Sequence, residues 1–319
     1  MKPKVLITRH LPEPAIKELV KFCEVEIWDR RIPPPYEYIK EKVEEKEGLI
    51  CLLTDRIDAT LMDAGAGLKV ISQCAAGYDN IDVTAAIQRG IVVGNTPGVL
   101  TEATADFAFM LLMAAARRVT EAQDYIRAGK WETWNLTNLL GQEVFGATMG
   151  IVGFGRIGQA VAKRARGFDM RLLYYDIVRQ PEAEMTLGVE FCSFNDLVRK
   201  ADFISLHVNL TPNTRGLIDR SAFNLMKPTA VLINTGRGPL EDSDALYEAL
   251  KSGQIAAAAL DVTAPEPLPA DHKLLQLTNL IITPHIASAT VTSRNQMVMM
   301  AIENLIAGVQ GKPLPYLVS

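Results

Sequence analysis

The sequence contains little of what marks secreted, metal-binding or nucleic-acid-binding proteins. Its 319 residues include only four cysteines, and these do not have the spacing of metal ligands. We therefore expect free thiols in a cytoplasmic protein rather than a disulfide framework, and we expect no bound metal. The cysteines are Cys23, Cys51, Cys74 and Cys192.

A strong charge of either sign and a long apolar run are also missing. The 33 basic and 37 acidic residues leave a net charge of −4 at pH 7, which argues against a nucleic-acid or anionic membrane partner. The longest apolar segment, residues 107–116, is too short to span a bilayer. No apolar stretch near the N-terminus is long enough for a signal peptide, so we expect a soluble protein.

What is present is an ordinary globular composition, 48% hydrophobic, in a chain long enough for two domains. Strand-like runs and amphipathic helical patterns alternate in the first hundred residues, which predicts a small parallel α/β sheet. The strands are predicted over 5–8, 25–28, 49–54, 68–73 and 91–94, and the helices over 14–22 and 36–46. The turn signal Asn95-Thr96-Pro97-Gly98 then marks an expected hinge.

The rest of the chain predicts a second domain inserted into the first. One long apolar helix is predicted over 101–129, followed by a loop with Trp131 and Trp134, and a last helix over 287–309 returns to the N-terminal sheet. Further strands are predicted over 150–154, 170–175, 203–208, 230–235, 255–262 and 280–283. We expect an α/β protein of two doubly wound parallel-sheet domains. A Rossmann nucleotide-binding domain (99–286) is inserted into a flavodoxin-like substrate domain (1–98 and 287–319).

A glycine turn indicates what the inserted domain binds. Gly153, Gly155 and Gly158 form a GxGxxG motif between a strand pattern and a helix pattern, and Asp176 lies 18 positions past its last glycine. Such a turn lets backbone N–H groups and a helix N-terminus approach a pyrophosphate, while the acidic residue binds a ribose. The motif predicts a nicotinamide dinucleotide. A turn that joins strand to helix and binds nothing is the alternative, because glycine turns are common.

Three ionisable residues at other strand ends predict the chemistry. Arg237 follows one strand in a glycine-flanked loop, Glu266 lies between two prolines, and His285 follows Pro284 after another strand. Reduction of a ketone needs a proton donor at its oxygen, and a histidine can be that donor. A carboxylate partner would stabilise the protonated imidazole. An arginine matches a substrate carboxylate with two parallel hydrogen bonds.

On these residues the chain resembles the D-isomer-specific 2-hydroxyacid dehydrogenases, and within them the glyoxylate/hydroxypyruvate reductases. The resemblance covers essentially the whole chain. It is carried by Gly77-Tyr78-Asp79-Asn80-Ile81-Asp82, Asn95-Thr96-Pro97-Gly98, the Gly153–Gly158 turn, the Arg237 loop, Asp261-Val262 with Pro265-Glu266-Pro267, and Pro284-His285. It implies a homodimeric enzyme that reduces small 2-keto acids such as glyoxylate and hydroxypyruvate.

The resemblance also implies a role for each site residue. Arg237, Glu266 and His285 are the expected catalytic residues, and Asp261 would orient the nicotinamide carboxamide. The expected substrate-binding residues are Ala75, Ala76, Gly77, Arg237 and Ser288. The expected cofactor-binding residues are Gly153, Gly155, Arg156, Ile157, Gly158, Asp176, His207, Thr235, Gly236 and Asp261.

Two questions stay open at this point. Asp176 would hydrogen-bond the ribose hydroxyls and repel a 2′-phosphate, which favours NAD, but Arg179 keeps NADP as an alternative. The activity could also be that of another D-2-hydroxyacid dehydrogenase, such as a phosphoglycerate dehydrogenase without a regulatory domain. A third possibility is an NAD-binding transcriptional corepressor without enzymatic activity.

Overall fold

The computed structural model describes residues 1–318 and divides the chain into two compact units. The first unit comprises Met1–Leu100 and the chain from Ala289 onward, and the second comprises Thr101–Ser288. Each unit is built around a single parallel sheet with helices packed against it. The predicted fold class, two parallel-sheet α/β domains, is therefore confirmed.

Most of the twelve strands of the described residues are short apolar runs. In the first unit they are β1 Lys4–Ile7, β2 Glu24–Ile27, β3 Gly48–Cys51, β4 Val70–Gln73 and β5 Val92–Gly94. In the second unit they are β6 Thr148–Val152, β7 Arg171–Tyr175, β8 Val189–Phe191, β9 Phe203–Leu206, β10 Val231–Asn234, β11 Ala257–Leu260 and β12 Leu280–Ile282. The central strands β3, β4, β9, β10 and β11 are buried along their whole length, as parallel strands covered on both faces must be.

Most of the α-helices are the crossovers between these strands. They are α1 Glu13–Leu19, α2 Tyr36–Lys42, α3 Ala59–Ala64, α4 Val83–Gln88, α5 Thr101–Ala116, α6 Val119–Arg127, α7 Arg156–Arg166, α8 Pro181–Leu187, α9 Phe194–Lys200, α10 Arg220–Leu225, α11 Ser243–Lys251 and α12 Val291–Val309. No helix of residues 1–318 is long and apolar enough to cross a membrane.

The order of the strands defines where a ligand can bind in each unit. The first sheet has the flavodoxin-like order β2-β1-β3-β4-β5, and the second has the order β12-β11-β10-β9-β6-β7-β8. In the second sheet the order reverses between β6 and β9, as in dinucleotide-binding folds. Ligands of such sheets bind at the carboxyl ends of the strands beside the reversal, where the Gly153–Gly158 turn leaves β6.

The prediction of one helix over 101–129 is wrong, because the chain forms two helices there. Arg118 adopts φ = +53°, a left-handed conformation that ends α5 and separates it from α6. The carbonyl of Ala116 accepts a hydrogen bond from the backbone N–H of Gln142 at 2.8 Å. A carbonyl bonded to a distant loop in this way marks a helix end that periodicity alone does not locate.

Candidate active site

The Gly153–Gly158 turn has the geometry of a pyrophosphate cradle. Gly153 has φ = +92°, and a Cβ placed on it would lie 2.6 Å from the backbone of His207; a Cβ on Gly158 would lie 2.2 Å from the carbonyl oxygen of Gly153. By contrast, nothing lies within 4 Å of a Cβ on Gly155, which precedes α7 and does not cap it with a side chain. The N-terminus of α7 thus has no side-chain cap and has open space beside Gly155, so the chain fits a dinucleotide there.

Two buried polar atoms near this edge of the sheet are also suited to a cofactor. The Oγ1 atom of Thr235 and the Nδ1 atom of His207 are buried without a hydrogen-bond partner within residues 1–318. His207 Nε2 is 2.8 Å from the hydroxyl of Ser205, and burial lowers the pKa of His207 to about 4. A buried polar atom is costly unless it is hydrogen-bonded, so a ligand that supplies these bonds would stabilise the site.

Asp176 and Arg179, the two residues expected to select the cofactor, have different surroundings. Asp176 directly follows β7, and its Oδ2 atom accepts a hydrogen bond from the N–H of Phe154 at 2.6 Å, which places the carboxylate against the glycine turn. Arg179 instead forms two 2.8 Å hydrogen bonds with Glu184. Those bonds, together with one from the hydroxyl of Tyr174, lower the pKa of Glu184 to about 2. The guanidinium is thus held by an ionised carboxylate.

Residues 235–238, which we call the Arg237 loop, leave the carboxyl end of β10. The loop begins after Asn234, whose side chain bonds the carbonyl of Arg237 at 2.8 Å and the N–H of Gly236 at 2.9 Å. A Cβ on Gly238 would lie 2.1 Å from the carbonyl carbon and oxygen of Thr263. Only a glycine permits this approach, which brings the Arg237 loop against the segment that leads to Glu266.

Glu266 and His285 form a hydrogen-bonded pair. His285 Nδ1 is 2.6 Å from Glu266 Oε1, and both side chains are partly accessible to solvent. Burial raises the pKa of the Glu266 carboxyl, but the hydrogen bond from His285 and the positive charges of His285 and Arg237 outweigh it, so the pKa lies below its usual range. An ionised carboxylate can only accept, so His285 Nδ1 carries a proton and Nε2 is left for a substrate.

Asp261 holds the turn that presents His285. Its buried carboxylate accepts hydrogen bonds from the hydroxyl of Thr283 at 2.6 Å and from the N–H groups of Ile286 and Ala287 at 2.9 and 2.7 Å. The N–H of His285 donates to the carbonyl of Asp261 at 2.8 Å, and His285 itself has φ = +55°. These bonds fix the backbone from which the imidazole extends. The expected contact of Asp261 with a carboxamide stays a prediction.

In the first unit, residues 75–77 follow the carboxyl end of β4 as a backbone loop. Their carbonyls accept hydrogen bonds from the N–H of Thr96 and from the side-chain amides of Asn95 and Gln73, at 2.7–3.1 Å. Within residues 1–318, their N–H groups have no backbone partner. A loop with fixed carbonyls and such N–H groups is suited to an anion, which agrees with the expected role of Ala75, Ala76 and Gly77 but does not test it.

The remaining expected residues occupy positions near these elements. Arg156 and Ile157 are the first residues of α7, Gly236 lies within the Arg237 loop, and Ser288 follows the turn held by Asp261. Sequence reasoning did not single out Asn234 or the buried Glu241 near the Arg237 loop. The only signal for Glu241 was an acidic residue directly after the apolar Leu240.

The fold and the glycine turn define a dinucleotide-binding α/β protein, and comparison with known proteins gives its family. Residues 109–287 match the family model of the NAD-binding domain of D-isomer-specific 2-hydroxyacid dehydrogenases. A glyoxylate reductase from Korarchaeum cryptofilum is 50% identical over 100% of this chain and 96% of its own. The chain therefore belongs to the D-isomer-specific 2-hydroxyacid dehydrogenase family and is an NAD(P)-dependent enzyme of that family.

Solved structures agree with this assignment. The structure of a protein from Thermus thermophilus has a TM-score of 0.93 and 47% identity, covering 99% of this chain and 100% of that one. An NADPH-dependent glyoxylate/hydroxypyruvate reductase from Sinorhizobium meliloti, solved with NADP and malonate, has a TM-score of 0.88 and 30% identity. That match covers 100% of this chain and 98% of the other.

Proposed function

We propose that this protein reduces small 2-keto acids to 2-hydroxy acids, with glyoxylate as the first substrate and hydroxypyruvate as the second. The observation that carries the proposal is the His285–Glu266 pair, which lies in the same unit as the Arg237 loop and the glycine turn. Arg237 is near enough for its charge to lower the pKa of Glu266. The names of the relatives, glyoxylate reductase and glyoxylate/hydroxypyruvate reductase, support this substrate class.

Each of the three residues has a distinct task in this reaction. Bound NAD(P)H would supply a hydride to the carbonyl carbon of the keto acid. As the carbon–oxygen π electrons move to the oxygen, that oxygen takes the proton from His285 Nε2, which leaves a neutral imidazole. Glu266 stabilises the imidazolium before transfer and keeps Nε2 directed away from itself. Arg237 would hold the substrate carboxylate through two N–H groups of its guanidinium.

The reaction is tested by kinetics with a panel of substrates. We expect kcat/KM for glyoxylate to be at least about tenfold above that for pyruvate, the scale of one extra methyl group in a small pocket. Hydroxypyruvate should also be reduced, with a lower kcat/KM than glyoxylate. The reverse oxidation of 3-phosphoglycerate should be slower than that of glycerate. A preference for the phosphorylated acid would instead indicate a phosphoglycerate dehydrogenase. Tight NADH binding without turnover of any keto acid would indicate a binding protein of the corepressor kind.

We further propose that NADH is preferred over NADPH. Asp176 lies against the glycine turn, where its charge would repel a 2′-phosphate, and the guanidinium of Arg179 is already paired with the carboxylate of Glu184. The change Asp176→Asn keeps an acceptor for the N–H of Phe154 but removes the charge. It should raise the NADPH-to-NADH ratio of kcat/KM about tenfold, equivalent to about 1.4 kcal/mol.

The control for this change is Glu182→Gln, which removes one unit of charge from an exposed residue at the start of α8. It should leave the ratio unchanged. A wild-type protein that prefers NADPH strongly would contradict the role of Asp176, and the NADPH-dependent relative from Sinorhizobium meliloti makes this a real alternative.

A homodimer is the proposed assembly. The loop after α6 exposes large apolar side chains, with Trp131, Trp134 and Leu136 between 65% and 77% exposed, and α6 itself has no buried residue. Apolar surface of this extent is typical of a protein interface. Light scattering after size-exclusion chromatography should give twice the chain mass of 35.0 kDa. A monomer at micromolar concentration would contradict the proposal.

The proposed location is the cytoplasm. Cys23, Cys51, Cys74 and Cys192 are all free thiols in the structure, as is usual in a reducing compartment. Cell fractionation tests this, and recovery of the protein with a secreted or membrane fraction would contradict it.

A further inference from the structure

The mechanism proposed above assigns no role to the buried carboxyl group of Glu241. Glu241 is only 3% exposed and lies after Leu240, seven residues past the end of β10. Its Oε2 atom accepts a hydrogen bond from Nδ2 of Asn234, whereas Oε1 has no partner within residues 1–318. Burial raises the pKa of Glu241 well above its usual range, and the bond from Asn234 offsets this only in part. Carboxyl groups are rarely buried unless a specific interaction requires them.

The partner of Glu241 is the residue that holds the Arg237 loop. Asn234 is fully buried, and its side chain spans the loop, with Nδ2 donating to the carbonyl of Arg237 and Oδ1 accepting from the N–H of Gly236. One of the two Nδ2 hydrogens is used by Arg237, and the other is used by Glu241. The terminal torsion of an asparagine is broad, so its amide keeps one orientation only when its hydrogen bonds hold it.

The backbone of Glu241 is itself firmly anchored. Its two neighbours pair with Ile218 in a parallel bridge, in which the N–H of Ile218 donates to Leu240 at 3.0 Å and the N–H of Asp242 donates to Ile218 at 2.9 Å. Asp242 then caps α11 by accepting from the N–H groups of Asp244 and Ala245. The carboxyl of Glu241 is therefore presented to Asn234 from a rigid position.

A shift of the Arg237 loop would also move the backbone of the neighbouring segment that carries Glu266. Gly238 packs so closely on the backbone of Thr263 that there is no room for a Cβ between them. Thr263 begins the segment that carries Glu266, and its hydroxyl donates to the carbonyl of Pro265 at 2.8 Å. The orientation of Asn234 thus affects the backbone positions of both Arg237 and the partner of His285.

We propose that Glu241 is a positioning residue that orients Asn234 and thereby holds Arg237 in the geometry that binds a keto-acid carboxylate. This rests on the proposed function only for the identity of the substrate. Glu241 touches neither substrate nor cofactor; it acts through Asn234, and the position of the Arg237 loop is the property it controls.

The experiment compares Glu241→Leu with Glu241→Gln. Leucine has a similar size but cannot accept the hydrogen bond, whereas glutamine can accept it through its amide oxygen. In Glu241→Leu, KM for glyoxylate should rise about tenfold, the scale of one lost buried hydrogen bond, with kcat less affected. The dissociation constant of NADH should change less than KM for glyoxylate, because the glycine turn is untouched and only Thr235 and Gly236 of the expected cofactor-binding residues lie in the Arg237 loop. Glu241→Gln should restore KM to within about threefold of the wild type.

Hydrogen exchange gives a readout that does not depend on the reaction. The amide of Gly236 should exchange about tenfold faster in Glu241→Leu than in the wild type, and Glu241→Gln should be protected. The double variant Asn234→Ala/Glu241→Leu should have no higher KM than Asn234→Ala alone, since both changes remove the same support. The control for lost stability is Leu246→Ala, which shortens a fully buried side chain of α11. It should leave both KM for glyoxylate and the exchange of Gly236 unchanged.

The outcomes separate the two proposals. If glyoxylate is not reduced by the wild type but Gly236 exchanges faster in Glu241→Leu, the proposed function is wrong and the positioning role stands. If Glu241→Leu matches the wild type in both KM and exchange, the positioning role is wrong. An equal rise of KM in Glu241→Leu and Glu241→Gln would also overturn the positioning role, because the hydrogen-bond acceptor at residue 241 would then be irrelevant.

Discussion

Replacement of His285 by asparagine should lower kcat for glyoxylate at least about 100-fold, the usual scale for loss of a general acid. Asparagine is the better test than alanine because residue 285 has φ = +55°, a conformation that asparagine tolerates well. The asparagine variant keeps the backbone hydrogen bonds to Asp261 and Thr283, but an amide has no acidic proton to transfer to the substrate. The dissociation constant of NADH should stay within about twofold of the wild type, since His285 acts on the substrate.

The pH dependence gives a second measurement of the same role. Reduction should fade toward alkaline pH, because it consumes the proton of His285. On the acid side, the pKa of Glu266 is lowered, so its charge is fully present above the usual pKa of a glutamate and is lost only as pH falls through the lowered value. The ion pair should therefore persist in mild acid. Glu266→Gln should remove this protection and lower kcat even near neutral pH.

The matched control is His272→Asn. His272 lies in the same unit and accepts a hydrogen bond from the N–H of Leu274 through Nδ1, which the oxygen of asparagine can replace. Its kcat should equal that of the wild type. A loss of less than about tenfold in His285→Asn would rule out general-acid catalysis by this residue. A pH profile that is flat from acid to alkaline conditions would count against the role as well.

Replacement of Arg237 by glutamine should lower kcat/KM for glyoxylate at least about 100-fold, equivalent to about 2.7 kcal/mol. Most of the loss should be in KM, because the guanidinium binds a carboxylate that is present in both ground state and transition state. Arg237→Lys should recover only part of it, since an ammonium keeps the charge but not the two parallel N–H groups.

A substrate without a carboxylate separates binding from indirect effects. Acetaldehyde has the carbonyl of pyruvate but no carboxylate, so wild type and Arg237→Gln should reduce it equally slowly. The control Arg199→Gln removes an exposed arginine at the end of α9 and should leave glyoxylate kinetics unchanged. An equal loss of activity toward acetaldehyde, or weaker NADH binding in place of the KM effect, would contradict the assigned role.

Sequence patterns predicted most of the fold, because burial and periodicity are local properties. The strand β6 lies within two residues of its predicted bounds, and the glycine turn is followed by a helix, α7, as predicted. Patterns failed at Arg118, where a helical sequence continues past the end of α5, and at β8, a three-residue edge strand. In both places the outcome depends on partners that are distant in sequence, such as the bond between Gln142 and Ala116.

The sequence predicted the residues of the candidate site better than it predicted the hydrogen bonds between them. Glu266 was expected beside His285, and the two are 2.6 Å apart; their catalytic role stays a prediction. The use of the Asp261 carboxylate to hold the turn of His285 was not expected. Nor was the contact of Asp176 with the N–H of Phe154, since a motif names an acidic residue without naming its partner in the protein.

The sequence by itself determined the fold class, the glycine turn and the residue types available at the strand ends. Local chemistry suffices for these, because a strand must be apolar and a close backbone approach requires glycine. Only the tertiary structure decided which of those residues meet. Parallel strands bring Asn234, Asp261 and the start of the His285 turn to one edge of a sheet, although these residues lie far apart along the chain. The support of Arg237 by Glu241 through Asn234 exists only in that arrangement.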